Sequence, residues 1–130
     1  MAGAADWSAQ NVRPIRPPRV LLAMRDRGFM RVTAFLLERR GYAVVQEGGS
    51  NVVDAALRSR VDVVVLEGEA SRATSAKTLA ALTALPTAPS LISIFDADGG
   101  GERLAGVPAI AKWTPVDELA REIDAVSVRR

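Results

Sequence analysis

The chain of 130 residues has no cysteine and no histidine. Without cysteine there are no disulfides and no thiol catalysis. Without histidine there are no His-based triads, and the two absences together remove nearly all zinc sites. No apolar run reaches transmembrane length, and the N-terminal segment lacks the continuous apolar core of a secretory leader. A cytoplasmic protein with no membrane partner is therefore expected. Internal repeats and motifs for binding DNA or ATP are also missing. Formal charge is +2, with Arg far outnumbering Lys. Most of the Arg and acidic residues are interleaved, as on solvated helix faces. The basic ends (Arg13, Arg16 and Arg19; Arg129 and Arg130) come with no aromatic-interleaved or helix-borne basic patch, so nucleic acid is not the expected partner. The richness in Ala, Arg and Val points to a high-GC bacterial genome.

What is present builds one domain. Apolar content of 48% supplies a sizeable core. Residues 1–18 read as a disordered tail, small and polar and then blocked by Pro14, Pro17 and Pro18; Trp7 is its odd member. The domain spans 19–126, and 127–130 forms a C-terminal tail. Val20-Leu21-Leu22-Ala23-Met24 is an apolar run without alternation, as in a strand buried on both faces. Phe29, Val32, Thr33, Leu36 and Leu37 fall on one stripe of a helix that Gly41 closes. Tyr42 to Val45 is a second strand. Ser50 is placed to cap a helix carrying Val53, Ala56 and Leu57. The run from Val61 to Glu67 is a third strand. A helix over 73–85 follows, then strands at Leu91–Phe95 and Val107–Ala111. In the last helix Thr114 is the N-cap, Pro115 the first turn, and Asp117 the partner of a capping-box-like pair; Val116, Leu119, Ala120, Ile123 and Val126 form its apolar stripe. Strands alternating with helices imply an α/β fold with a parallel sheet covered on both faces. The strand ending at Glu67 is the most informative segment, because ligands and chemistry sit at the carboxyl ends of such strands.

Several stretches match one known pattern in register. They are Arg19-Val20-Leu21-Leu22, Leu36-Leu37-Glu38-Arg39-Arg40-Gly41-Tyr42, Asp62 with the apolar run after it, and Lys112 followed by Glu118-Leu119. In these the chain resembles the receiver domain of bacterial two-component response regulators, from Arg19 to about Val126. The resemblance implies a flavodoxin-like, doubly wound five-stranded parallel sheet of order 2-1-3-4-5. It also implies four chemical parts: an acceptor Asp, an acid pair that holds Mg²⁺, a Ser or Thr, and a Lys. Mg²⁺ needs hard oxygen ligands in near-octahedral geometry, which is why such acids cluster.

This chain departs from the pattern at three of the four parts. The acid pair falls on Met24 and Arg25, neither of which can hold Mg²⁺. Asp26 comes one position late, and at a strand end one position reverses the side chain. The acceptor position falls on Glu67. The hydroxyl position falls on Ile94 or Phe95, with Ser93 one or two positions early. Lys112 alone remains. About seventeen residues separate Phe95 from Lys112, which leaves a shortened or missing fourth helix. Asp96, Gly99, Gly100, Gly101 and Glu102 fall in that stretch, where a flexible linker is a better reading than a phosphate-cradling loop because the spaced glycines and Lys of a P-loop are lacking. Trp113 stands where the family usually has Pro.

These readings set the expectation of an atypical, non-enzymatic receiver domain with no cofactor and no metal. It would act without Asp phosphorylation by binding a protein partner of a bacterial signalling pathway. Glu67 is either an imitation of a phosphorylated Asp facing Lys112 or a structural carboxylate paired with Lys112, Arg25 or both. Contacts are expected through Trp113, the 96–106 segment and the last helix, with homodimerisation through the same face. The alternatives are a small-ligand or anion sensor using the crevice with Arg25 and Lys112, or a pseudo-receiver fragment of a larger regulator.

Overall fold

The computed structural model describes residues 17–48, 51–67, 72–96 and 106–128. Among the described residues there are five strands and four helices, in the order β1 (Arg19–Ala23), α1 (Arg27–Arg39), β2 (Ala43–Glu47), α2 (Val52–Ser59), β3 (Val63–Glu67), α3 (Arg72–Thr83), β4 (Ser90–Phe95), β5 (Ala109–Ala111) and α4 (Val116–Val128). All four strand pairings are parallel and the spatial order is β2-β1-β3-β4-β5. This is the flavodoxin-like order 2-1-3-4-5 implied by the resemblance. Among the described residues no helix is long and apolar enough to cross a membrane.

The unbroken apolar strands are explained by the two layers of helices. Along β1, Val20 and Leu22 enter the core under α1 and α4, while Leu21 and Ala23 enter the core under α2. Successive side chains alternate between faces, so a strand covered on both sides needs apolar residues at every position. Val63, Val64 and Val65 of β3 follow the same rule and are fully buried. Each such side chain removed from water contributes about 1.5–3 kcal/mol before the entropy of ordering it is counted.

Gly41 closes α1 as expected. Its φ is +95°, and its N–H donates to the Glu38 carbonyl at 2.9 Å, the left-handed step at which a residue with a Cβ is strained. Below the site, Arg19 and Asp62 tie β1 to the entry of β3. The Arg19 N–H donates to Asp62 Oδ2 at 2.8 Å, and the Asp62 N–H donates to the Arg19 carbonyl at 2.9 Å.

Local expectations are corrected at four places. The buried face of α1 is Phe29, Met30, Thr33, Ala34 and Leu37; Val32, expected inside, is 48% exposed. In α2 the buried residues are Val52, Ala55 and Ala56, and Leu57 points out. In α2 the small Ala55 and Ala56 let the helix approach the sheet closely, while α1 turns Met30 inward in place of Val32. Thr114 does not cap α4 through Asp117. Its hydroxyl donates to the Ala111 carbonyl at 2.6 Å, the Pro115 carbonyl accepts from the Leu119 N–H, and Asp117 pairs with Arg40 on α1. Finally, α4 runs through Val128, two residues beyond the end of its apolar stripe at Val126. Residues 1–16 with Trp7, Ser50, and the 97–105 stretch in which the fourth helix was expected to be short or missing lie outside the described residues.

Candidate functional site

The carboxyl ends of β1, β3 and β5 meet where parallel α/β sheets place their ligands, and each brings one charged side chain. Strand β1 ends at Ala23. Met24 is fully buried in the core, and its N–H donates to the Glu47 carbonyl at 3.3 Å. The chain has therefore left the sheet before Asp26, so strand alternation does not govern that residue. Asp26 is instead the N-cap of α1, with Oδ1 accepting from the Phe29 N–H at 3.0 Å. This is the standard use of a short acid at a helix start. Its second oxygen, Oδ2, accepts from Lys112 Nζ at 2.9 Å. The expectation that Asp26 would point away is corrected on this ground.

Glu67 closes the other half of the cluster. Its Oε1 accepts two backbone N–H groups of the loop between β1 and α1, Arg25 at 2.7 Å and Asp26 at 3.0 Å. Its Oε2 accepts from Lys112 Nζ at 3.2 Å. The extra methylene of Glu, relative to Asp, carries the carboxylate across to that loop. Arg25 engages Glu67 through its main chain, and its side chain is exposed. The Glu67 and Lys112 side chains are 13% and 15% exposed, so both charges are largely desolvated and each depends on the other. The bond from Lys112, with the Phe29 N–H second, holds the Asp26 carboxyl below its ordinary value. In turn the bond to Asp26 raises the Lys112 ammonium, with Glu67 adding to it against the cost of partial burial. One ammonium thus sits between two carboxylates.

An aromatic floor lies beneath it. Lys112 Nζ is 5.3 Å from the centre of the Phe29 ring, and the Trp113 ring meets Phe29 edge-on at 4.7 Å and 71°. The spacing of Phe29 marks it as a core residue, and its position three residues after the capping Asp26 sets it on the first turn beneath the cluster. Trp113 itself is 63% exposed and has a φ of +69°. A cleft of about 50 Å³ runs beside it between α1 and α4, with Val32, Leu36 and Val116 in its walls. Its volume is well below that of a metabolite pocket.

Ser93, Ile94, Phe95 and Asp96 lie along and just past β4. Ile94 is buried in the core and Phe95 is partly buried at the end of β4. Ser93 is buried and donates to the Pro108 carbonyl at 3.5 Å. Asp96 is exposed just past β4. Gly99, Gly100, Gly101 and Glu102 lie outside the described residues. Among the described residues no three acids come together as a metal-binding group.

No protein-family model matches this chain, and no curated protein matches it in sequence. Solved structures do. A response regulator from Desulfuromonas acetoxidans aligns with a TM-score of 0.68 at 17% identity, over 83% of this chain and 94% of that one. The receiver domain of the hybrid histidine kinase CckA gives 0.68 at 17%, over 84% and 98%. A response regulator receiver domain protein from Bacillus halodurans gives 0.64 at 16%, over 85% and 97%. The chain therefore has the fold of a receiver domain over nearly the full length of each of these structures.

Proposed function

We propose that this chain is a cytoplasmic signalling module of receiver type that works by binding protein partners, without catalysis and without phosphorylation of an Asp. One observation carries the reading: Lys112 bridges Asp26 and Glu67 while the other Glu67 oxygen is bonded to the backbone of Arg25 and Asp26. A phosphoryl acceptor needs a carboxylate oxygen free to attack and a divalent cation beside it to take up the developing charge. Here both Glu67 oxygens are engaged. The place between the two carboxylates is held by an ammonium, and Met24 and Arg25 stand where the acid pair would be. The cluster fixes the loop between β1 and α1 to the ends of β3 and β5, and so holds the site in one state.

The sensor reading has less support. An anion entering the crevice would meet two carboxylates around a lysine that they already neutralise, a net repulsion in a poorly solvated place.

The test is a two-dimensional amide NMR titration with Mg²⁺, then with Mg²⁺ plus beryllofluoride. Unmoved resonances at Asp26, Glu67 and Lys112 are expected. Saturable shifts at those three residues would show a working phosphorylation site and end this reading.

A further inference from the structure

Three of the four large apolar side chains that stand exposed among the described residues share one face: Val32 and Phe35 on α1, and Trp113 at the turn into α4. Phe35 is 56% exposed. Only Leu57 lies elsewhere, on the opposite layer. Isolated exposed apolar residues are ordinary, whereas a cluster marks a surface that is covered in use. Trp113 adds a second, independent sign. A bulky residue in the left-handed region is strained by about 1–2 kcal/mol, and Gly or Asn would relieve that strain at once. Here the strain holds an indole outward against Phe29.

The charges on the same face say what covers it. The exposed charges of α1 on this side are Arg31 and Arg39, with Glu38 the exception, while Arg27 reaches instead toward Gly48 past the end of β2; those of α4 are Asp117, Glu118 and Asp124, with Arg121 the exception. A basic helix and an acidic helix lie side by side, joined by the Arg40–Asp117 ion pair. Such a face is complementary to itself. A twofold axis lying in the contact plane, between the helices and along them, sets α1 of each copy over α4 of the other and brings opposite charges together twice. An axis across the helices would set α1 on α1 and oppose like charges.

We infer that this chain forms an isologous dimer through α1, Trp113 and α4, in the α1-over-α4 arrangement, with Trp113 and Phe35 as its apolar anchors. The inference deepens the binding-module reading and rests on it.

Sedimentation velocity over a concentration series tests it. The intact chain is expected to dimerise, and Phe35→Ser and Trp113→Ala should each weaken the dimer by about tenfold or more. Arg31→Glu/Arg39→Glu and Asp117→Lys/Glu118→Lys should each be monomeric alone and form a heterodimer when mixed, because only the mixture restores opposite charges at both contacts. Circular dichroism of each variant establishes that it is folded. A chain that stays monomeric at high concentration overturns the inference, as does a dimer indifferent to these substitutions or charge variants that fail to pair. A dimer formed through these residues only with Mg²⁺ and beryllofluoride would uphold the face and overturn the phosphorylation-independent reading, so the two fail separately.

Discussion

Lys112 and Glu67 stand 45 residues apart in the chain, and their charged groups meet at 3.2 Å. They join the ends of β5 and β3 over a site that Asp26 completes from the start of α1. The pair is more than a surface ion bridge, because each partner is mostly withdrawn from water and Glu67 carries two backbone N–H bonds as well.

That arrangement makes the two residues energetically coupled. Lys112→Met leaves two neighbouring carboxylates with no cation and should destabilise the domain by about 2–3 kcal/mol, less than for a fully buried pair because Asp26 is partly solvated. Glu67→Gln keeps the backbone bonds and should cost about 1–2 kcal/mol. The double variant should be less unstable than the sum of the two by more than about 0.5 kcal/mol, measured by urea unfolding. Additive effects would mean that the pair is not an energetic unit.

Stability should fall at both ends of the pH range, with the cluster contributing to each limb. Asp26 has a depressed pKa in the folded state, so its contribution is complete above the unfolded value near 3.8 and is lost as pH falls through the lower folded value. Lys112 has a raised pKa, so its contribution is complete below the unfolded value near 10.5 and is lost as pH climbs through the higher folded one. Asp26→Asn should therefore flatten the acid limb of a melting-temperature profile below about pH 4. An unchanged profile would place the acid sensitivity in other carboxylates.

Tyr42 is the one tyrosine in the chain, so its ionisation can be read directly. Burial first, and then its bond to Asp124 Oδ1 at 2.7 Å, push the phenol well above its ordinary value of 10. Absorbance near 295 nm should stay flat in the folded protein at pH values where the urea-unfolded chain is already ionised. The raised pKa also means that Tyr42 contributes stability below about pH 10 and loses it at higher pH. Titration of the folded chain at the ordinary value would contradict the Tyr42–Asp124 bond.

At Trp113 the backbone and the side chain can be separated. With φ at +69°, Trp113→Gly should be more stable than Trp113→Ala by about 1 kcal/mol, because both lose the ring contact with Phe29 but only Ala keeps the strain. Thermal unfolding of the two variants side by side decides it. Equal stability would mean that the left-handed turn relaxes once the indole is gone.

Much of the fold was legible in the chain because it depends on local patterns. Unbroken apolar runs at Val20–Met24 and Val63–Leu66 mark strands buried on both faces, and Gly41 marks the end of a helix. The rotation of α1 was not legible. Met30, Val32, Ala34 and Leu36 are all apolar, and which of them turns inward is decided by how α1 packs on the sheet and beside α4. The site was legible only in part. Glu67 and Lys112 stand out at the ends of their strands, whereas Asp26 does not, because β1 stops at Ala23 and strand alternation no longer sets the direction of its side chain.

The order of elements, the parallel sheet and the absence of thiol and imidazole chemistry follow from the sequence alone, since composition and short-range periodicity are properties of the chain itself. The meeting of Asp26, Glu67 and Lys112, and the basic and acidic helices lying side by side with Trp113 at their edge, were decided by the tertiary structure. The crossover connections bring residues from distant parts of the chain to one end of the sheet, and whether charges there pair or stay apart depends on distances of a few ångströms that no spacing along the sequence encodes.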